Sequence, residues 1–203
     1  MKSSLQKTVE YYNSNSEKWA NKSANPFARE KEFRKFVSLL PKKADVLDIG
    51  CAQGTHVPLF LGIGKDLNYS GFDISNKLLK IARRRYPQLS FHQGNIINAN
   101  TFPKKKFDGF WAVAVLMHME KELWPLMLDN IEKHMKSGAI GFFTLPHSRP
   151  SLATEKDQRH FSFFTKGELD NIIKKRNWMV LNSGVTHGKT APVDWSWYMV
   201  KLS

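Results

Sequence analysis

The chain has 203 residues, enough for one domain with a sizeable core and too few for two of ordinary size. Its net charge of +13 suits an anionic partner, although basic clusters spread along a chain are equally typical of a well-solvated surface. No apolar run approaches the roughly 20 residues that span a bilayer, and the amino terminus lacks the apolar core of a secretory signal. We therefore expect a cytoplasmic protein without a membrane segment.

Helical patterns fill the first forty residues. Phe33, Phe36, Val37 and Leu40 repeat at helical spacing up to Pro41. Beyond that point short apolar strands alternate with amphipathic helices. The strands are predicted at 44–49, 69–72, 89–92, 107–115, 139–145, 178–185 and 195–202. The helices between them are predicted at 55–63, 75–86, 120–134 and 165–175, with Gly138 ending the third of these.

This alternation predicts an α/β fold, a doubly wound and mostly parallel seven-stranded sheet with helices on both faces. No helix separates the last two strands, so we expect them to form an antiparallel hairpin at the C-terminal edge. The sequence contains neither repeats nor a linker. A single domain over residues 1–203 is therefore expected.

The segment 46–55 joins a buried strand to a helix through a turn of small residues. Gly50, Ala52 and Gly54 let the backbone approach a ligand closely, and the following helix start offers unpaired N–H groups. A dinucleotide fingerprint needs glycine at the first, third and sixth positions of such a turn, which here are Gly50, Ala52 and Thr55. The Gly-Lys-Ser/Thr of a P-loop is missing as well. Neither nucleotide-binding class fits.

Polar side chains also follow the next two predicted strands. A carboxylate at Asp73 can accept hydrogen bonds from both hydroxyls of a ribose, although it is equally suited to capping the helix that starts at Ser75. The amide of Asn95, in Gly94-Asn95-Ile96, can donate to and accept from an adenine edge. Three consecutive strand ends thus carry the groups that one nucleoside needs.

Together with segments 11–13 (Tyr-Tyr-Asn), 107–112 and 116–118 (Leu-Met-His), these residues resemble the class I S-adenosylmethionine (SAM)-dependent methyltransferases, which have a Rossmann-like fold. The similarity extends from about Tyr11 to the C-terminal strand and is closest to the small-molecule branch. It implies SAM as cofactor and S-adenosylhomocysteine (SAH) as product. It also implies a helical lid at 1–40, a cofactor-binding core at 41–145, and a substrate-side loop, helix and edge strands at 146–203.

The resemblance further implies which residues bind the cofactor. Asp48 and the turn would surround the methionine tail, Asp73 would hold the ribose, and Asn95 would read the adenine edge. The full implied set is Tyr11, Trp19, Asp48, Gly50, Cys51, Ala52, Gly54, Thr55, Asp73, Ile74, Asn95, Ile96, Ala112 and Val113. Two residues depart from the family pattern. Ala52 stands where the family has a glycine, and this replacement should be tolerated if the φ of Ala52 is negative. Asn95 stands where the family usually has Asp, so the side chain keeps an acceptor oxygen and loses the charge.

Cys51 is the only cysteine, which excludes an internal disulfide and argues against a thiolate metal site. No His or Asp is arranged in the sequence to activate it, so we expect this side chain to pack within the turn. No metal is expected in this protein.

Residues on the acceptor side follow from the resemblance as well. His118, just after the fourth strand, is the first candidate for a general base and Tyr12 the second, while a structural role for His118 stays open. In the resembling family the connection after strand five overlies the acceptor pocket. The implied substrate-facing residues are His147, Arg159, His160 and Phe163.

The sequence therefore predicts methyl transfer from SAM to a nitrogen or oxygen atom of a small molecule. An Asn/Asp-Pro-Pro-Tyr/Phe tetrapeptide does not follow the fourth strand, where 112–115 reads Ala-Val-Ala-Val, and this argues against exocyclic-amine DNA and protein-glutamine methyltransferases. Two alternatives stay open. An RNA methyltransferase would need its basic residues in one patch around the pocket mouth, and a SAM-binding domain without catalysis would lack an acceptor site. The oligomeric state is not predicted.

Overall fold

A seven-stranded sheet runs through the computed structural model, which describes residues 3–21, 25–146, 159–187 and 193–203. The helices are α1 (Ser4–Ser14), α2 (Ser16–Asn21), α3 (Glu30–Leu39), α4 (Val57–Gly62), α5 (Asn76–Arg85), α6 (Trp124–Lys133) and α7 (Lys166–Lys175). The strands are β1 (Ala44–Ile49), β2 (Leu67–Asp73), β3 (Ser90–Gln93), β4 (Phe107–Ala112), β5 (Met135–Pro146), β6 (Met179–His187) and β7 (Asp194–Lys201).

The strand order is β3-β2-β1-β4-β5-β7-β6. Strands β1 to β5 pair in parallel, whereas β7 is antiparallel to both β5 and β6, so that all strands except β7 run in one direction. The predicted doubly wound sheet with an antiparallel C-terminal edge hairpin is confirmed. Because the chain order reverses between β1 and β4, a crevice forms at the carboxyl ends of these strands.

Buried apolar side chains alternate between the two faces of the sheet. In β4, Trp111 packs among aromatic residues of α3, and its ring centroid lies 5.1 Å from that of Phe33. The preceding residue, Phe110, points to the opposite face, toward Trp178 and the side covered by α6 and α7. Helices thus cover both faces, which explains why strands such as β1 and β4 are almost continuously apolar.

Two helix starts follow the capping signals in the sequence. The Ser75 hydroxyl accepts a hydrogen bond from the Leu78 backbone N–H at 3.3 Å, so α5 begins where the sequence predicted. At α7, Thr165 and Glu168 form a reciprocal capping box. Both helices begin at the carboxyl edge of the sheet, and α5 directly follows Asp73 and Ile74, which are candidate cofactor residues.

Two predicted strands have different bounds in the structure. Strand β4 ends at Ala112 and not at residue 115, because Ala114 has a φ of 55° that turns the chain out of the sheet. Strand β5 begins at Met135, so the prediction that Gly138 ends the preceding helix was wrong. Gly138 lies inside β5 with a φ of 73°, beside a register shift in the pairing with β4.

Helix positions differ in detail as well. Helix α4 starts at Val57, two residues later than predicted, since residues 51–56 form turns around Gly54, which has a φ of 83°. On α6 the apolar spacing predicts an inward face of Leu123, Leu126, Met127 and Ile131, and this prediction is partly wrong. Leu126 is 44 % exposed, whereas Trp124 and Leu128 are buried. The inward face is therefore rotated from the one that the apolar spacing suggested.

No helix within the described ranges is long and apolar enough to cross a membrane. The same residues contain no group of three or more His, Cys, Asp or Glu side chains placed to hold a metal ion.

Candidate functional site

A cavity of about 1040 Å³ opens at the carboxyl ends of the parallel strands. This volume lies at the upper end of the range for small-molecule sites, so the cavity has room for a cofactor and an acceptor together. Helix α1 and the segment 25–29 form part of its wall. The sequence-predicted residues that line it are Tyr12, Trp19, Gly50, Ala52, Thr55, Asp73, Ile74, Asn95, Ile96, Val113 and His118.

The turn after β1 brings backbone close to the cavity. Gly50 has a φ of 73°, and a Cβ built on it would lie 2.5 Å from the Cβ of Val115, so both conformation and space require glycine. Ala52 has a φ of 51°. The negative φ on which the sequence argument for Ala52 depended is therefore wrong, and this alanine occupies the left-handed region that favours glycine.

Asp73 ends β2 and stiffens this turn. Its Oδ2 accepts from the Ala52 N–H at 2.9 Å and its Oδ1 from the Ser75 N–H at 2.8 Å. Burial raises the pKa of this carboxyl to about 6, an effect that the backbone donors partly offset and Asp48 increases. The carboxylate therefore fixes the turn and holds Ser75, the N-cap residue of α5, in place. Asp73 also borders the cavity, so this structural role leaves it available to a ligand.

Asn95 lies after β3, at the flank of the cavity that β2 and β3 provide. Its Oδ1 accepts from the Ile97 N–H at 3.1 Å, and its own N–H donates to Thr101 Oγ1 at 2.9 Å. The side-chain oxygen is thus partly used in a local turn, whereas Nδ2 makes no hydrogen bond to another described residue. This leaves the donor half of the amide for a ligand.

Helix α1 is tied to the cavity floor through Tyr12 and His118. The Nδ1 of His118 lies 2.7 Å from the His160 carbonyl oxygen, and its Nε2 lies 2.9 Å from the Tyr12 hydroxyl. A carbonyl oxygen can only accept, so Nδ1 carries a proton, and in the neutral imidazole the Nε2 lone pair faces Tyr12. Arg159 donates to the same hydroxyl at 3.3 Å. Burial raises the pKa of Tyr12 above its usual value, which keeps the hydroxyl protonated near neutral pH.

Several predicted cofactor residues do not line the cavity. Asp48 is fully buried and accepts from the Tyr69 hydroxyl at 2.9 Å, while Cys51 and Ala112 are also fully buried. Burial raises the pKa of the Cys51 thiol well above its usual value, which agrees with a packing role. Gly54 packs against Tyr86, where a Cβ would lie 2.8 Å from the ring.

The predicted acceptor-side residues lie mostly behind α1. The Arg159 guanidinium stacks on aromatic rings, and its Cζ lies 4.9 Å from the centroid of the Tyr11 ring. The side chains of Arg159 and Tyr11 thus pack together at α1 and do not border the cavity. The N–H of His160 donates to Thr8 Oγ1 at 2.9 Å. Phe163 packs near Phe161 and also does not line the cavity. His147 lies outside the described residues.

Two buried polar residues near the turn were not among the residues predicted from the sequence. Gln53 and His56 line the cavity, and Gln53 Oε1, His56 Nδ1 and Asp48 Oδ1 have no hydrogen-bond partner among the described residues. Asp48 does not border the cavity and its Oδ1 lies 3.7 Å from His56 Nδ1, so Gln53 Oε1 is the acceptor that faces the cavity, and buried polar groups in native proteins are normally paired. An ammonium group, as in the amino-acid tail of SAM, fits this need for donors. The residues present therefore fit the cofactor.

Arg29 and Thr186 were missed as well. They lie 157 positions apart in the chain, yet Arg29 Nη1 donates to Thr186 Oγ1 in the cavity wall. No sequence motif connects them, because their contact depends on where β6 lies in the sheet.

Comparisons with known proteins agree with this geometry. Residues 46–138 match the family model described as a methyltransferase domain. A relative in Invertebrate iridescent virus 6, named "Putative methyltransferase 235L", is 25% identical over 136 residues, which are 66% of this chain. The matched part spans less than half of that relative, 44% of its length.

Solved structures share the fold over nearly the whole chain. Magnesium protoporphyrin IX methyltransferase from Synechocystis PCC 6803, with bound SAM, has a TM-score of 0.75 at 15% identity and covers 100% of this chain and 99% of its own. The 1,6-didemethyltoxoflavin-N1-methyltransferase of Burkholderia thailandensis, with bound SAH, has a TM-score of 0.74 at 15% identity over 98% and 87%. The [4+2]-cyclase SpnF also has this fold (TM-score 0.68, 12% identity, 86% of this chain and 81% of its own covered), so such likeness shows the fold alone.

The match to the methyltransferase family model includes the glycine turn, Asp73 and Asn95, which line the cavity at three neighbouring strand ends. Residues 46–138 are therefore similar to a methyltransferase domain, and the chain has the fold of solved structures with bound SAM or SAH.

Proposed function

We propose that this protein transfers the methyl group of SAM to a nitrogen or oxygen atom of a small molecule. The observation that carries this proposal is the single cavity shared by the glycine turn, Asp73 and Asn95. These residues follow β1, β2 and β3, which are neighbours in the sheet, so the groups suited to tail, ribose and adenine lie in that order along one edge.

Each predicted cofactor residue then has a role in the proposal. Asp73 accepts from the ribose hydroxyls, and Asn95 Nδ2 donates to the adenine, with Ile74 and Ile96 against the ring. Gly50 and Ala52 let the backbone approach the amino-acid tail, next to Gln53. Thr55, Val113 and Trp19 complete the wall. The buried residues Asp48, Cys51, Gly54 and Ala112 support this wall from behind, and Tyr11 packs against Tyr12 to shape the lid.

When bound, SAM supplies an electrophilic methyl carbon on a sulfonium, and the acceptor's lone pair displaces SAH in line. The protein's part is to orient the acceptor and exclude water, and orientation alone can be worth roughly 7–11 kcal/mol. Helix α1 closes over the cavity through Tyr12 and Thr8, which supports the assignment of residues 1–40 as a lid.

An acceptor that must lose a proton has a route to a base. The Tyr12 oxygen takes the acceptor's proton while the Tyr12 hydroxyl proton passes to His118 Nε2, 2.9 Å away. The resulting imidazolium donates from Nδ1 to the His160 carbonyl, which stabilises its charge. Arg159 holds Tyr12 in place as a positioning residue.

The distribution of basic residues favours a small molecule over RNA as the acceptor. The clusters at 42–43 and 104–106 directly precede β1 and β4, and those at 83–85 and 174–176 end α5 and α7 just before β3 and β6. These four strands run in the same direction, so the clusters at 42–43, 104–106 and 174–176 lie at their amino ends, whereas Arg85 of the fourth cluster donates to the Ala20 carbonyl of α2 beside the cavity wall. The cavity opens at the other edge, roughly 20 Å away for strands of this length.

Cofactor binding is tested by thermal shift with SAM, SAH and NAD. We expect stabilisation by SAM and SAH only, and its loss in Asp73→Ala. Asp66→Ala is the matched control, because Asp66 is an exposed carboxylate just before the other end of β2. Stabilisation by NAD, or an unchanged SAH response in Asp73→Ala, would remove the basis of the proposal.

Methyl transfer itself is tested by a screen of amine and hydroxyl acceptors with methyl-labelled SAM, followed by mass spectrometry of the product. SAH binding without transfer to any acceptor class would favour the alternative of a SAM-binding domain without catalysis. Transfer to RNA and not to small molecules would overturn the assignment of the acceptor.

A further inference from the structure

A row of exposed lysines lies at the edge of the sheet opposite the cavity. The segments that precede β1, β4, β5 and β6 meet there with the end of β7, because β7 runs against the other strands. The lysines at this edge that are exposed and form no ion pair with a described residue are Lys42, Lys43, Lys104, Lys106, Lys133, Lys174, Lys175 and Lys201. We call them the amino-edge lysines.

The carboxylates among these lysines do not neutralise the row, because they already bind other cations. The ion pairs, each 2.8 Å long, are Asp45–Lys105, Asp108–Lys136, Asp129–Arg176 and Glu132–Arg176. Asp66, an exposed carboxylate just before β2, lies beyond the end of the row. The amino-edge lysines therefore give this edge an excess of positive charge, which attracts an anionic partner.

Helix dipoles account for only part of the row. Lys133, Lys174 and Lys175 lie in the last turns of α6 and α7, where a cation is favourable. The end of α3 needs no further cation, because Lys65 Nζ donates to two carbonyl oxygens there, at 2.8 and 2.7 Å. The other amino-edge lysines lie in loops or at the end of β7, so a helix dipole does not explain them.

Exposed apolar side chains lie among these lysines. Met179 is 62 % exposed and Val180 is 44 % exposed at the start of β6. Met179 is the cross-strand partner of Lys201, so the two side chains are neighbours. Leu39, at the end of α3, is also exposed and lies three residues before Lys42. Apolar side chains beside cations are typical of surfaces that bind the interface of an anionic membrane.

The residue types favour a lipid surface over a nucleic acid. Lysine is a compact point charge, whereas nucleic-acid recognition favours the planar fork of arginine. Arg176, next to Lys175, is already held by Asp129 and Glu132. Binding of single strands also uses aromatic side chains on which bases stack. Trp178 and Phe107, which lie at this edge of β6 and β4, are buried and therefore do not offer such a surface.

We propose that the amino-edge lysines, together with Leu39, Met179 and Val180, bind the surface of a membrane that contains anionic lipids. The row extends over four strand spacings from β1 to β6, roughly 19 Å, so it faces several lipid headgroups at once. The apolar side chains enter the headgroup layer. The cavity opens at the opposite edge, so it stays accessible from water while the protein is bound. This inference is independent of methyl transfer.

The test is co-sedimentation with phosphatidylcholine vesicles, with and without about 30 % phosphatidylserine. We expect binding only to the vesicles that contain phosphatidylserine, and its loss when the salt concentration is raised from about 0.05 M to about 0.5 M, because salt screens exposed charges. The double variant Lys174→Gln/Lys175→Gln should bind roughly tenfold more weakly or less, since each lysine near an anionic membrane is worth roughly fivefold. Met179→Ser should weaken binding by about threefold to tenfold.

The matched control is the double variant Lys31→Gln/Lys80→Gln. Both lysines are exposed, and they lie on α3 and α5 outside the row. The control has the same net charge as Lys174→Gln/Lys175→Gln, so it separates the effect of this surface from that of overall charge. Circular dichroism and Tm without cofactor verify that every variant is folded.

The outcomes are distinguishable from those that test the proposed function, since SAH affinity should be the same in all these variants. Absence of binding to phosphatidylserine vesicles, or equal weakening in the two double variants, would overturn the inference. Tighter binding of a single-stranded RNA than of the vesicles, with the same dependence on Lys174 and Lys175, would assign the surface to a nucleic acid and also overturn it.

Discussion

Replacing Ala52 by glycine should stabilise this protein, although a glycine substitution usually destabilises. The φ of 51° at Ala52 belongs to the left-handed region, which an L-residue with a Cβ enters at a cost of roughly 1–2 kcal/mol. Glycine removes this cost, but its greater conformational freedom in the unfolded chain lowers the gain in the free energy of unfolding by about 0.5–1 kcal/mol. The side chain removed is a methyl group at the cavity wall, so little packing is lost.

The expected net gain is about 0.5–1 kcal/mol in the free energy of unfolding. For a chain of this length, each 1 kcal/mol shifts Tm by roughly 2–4 °C, so Ala52→Gly should raise Tm by about 1–4 °C. The Ala52 N–H keeps its hydrogen bond to Asp73 because that bond involves only the backbone. SAH affinity should therefore stay within about twofold of the wild type.

Urea unfolding and a thermal scan, each without cofactor, measure the effect. Ala114→Gly should act in the same direction, because Ala114 also has a positive φ, of 55°. Ala82→Gly is the opposite control. It lies buried within α5, where glycine lowers helix stability by about 1 kcal/mol. If Ala52→Gly were as destabilising as Ala82→Gly, the strain at the turn would be refuted.

Three further predictions concern the site and its support. SAH affinity should fall about tenfold per pH unit below pH 6, because the Asp73 carboxyl of the free protein, with its pKa of about 6, is protonated there. Calorimetry between pH 8 and pH 5 should show this slope. An equally steep slope in Asp73→Asn would contradict the prediction. Tyr12→Phe should lower turnover of a proton-losing acceptor by on the order of 100-fold with little change in SAH affinity, whereas Tyr11→Phe should leave turnover unchanged. Gly71→Ala should destabilise by about 1–3 kcal/mol, since its Cβ would lie 2.6 Å from an aromatic carbon, while Gly62→Ala, with open space around it, should not.

The fold, and the meeting of three strand ends at one cavity, were predictable from the sequence because both depend on local patterns. Alternating strands and helices fix a parallel sheet, and the carboxyl ends of parallel strands share one edge. The residues at the carboxyl ends of β1, β2 and β3 therefore lie close together however the rest of the chain packs. Asp73 and Asn95 accordingly line one cavity with Gly50.

The predicted substrate-facing residues that the structure describes do not border the cavity. Arg159 and His160 were expected to face the substrate, yet they brace Tyr12 and His118 from behind α1. Whether a loop residue points into a cavity or toward the helix that covers it depends on the docking of α1, and no local pattern encodes that. Arg29 contacts Thr186 for a similar reason, since the order of β6 and β7 in the sheet brings them together.

Backbone conformation also had to come from the tertiary structure. A sequence shows that Ala52 replaces a glycine, but it does not give the φ that the surrounding hydrogen bonds impose on it. The sequence by itself determined the order of the elements and the chemical groups at three strand ends, because hydrophobic periodicity and chain direction are local properties. Only the tertiary structure decided which side chains border the cavity, since burial and contacts between distant segments depend on the packing of the whole chain.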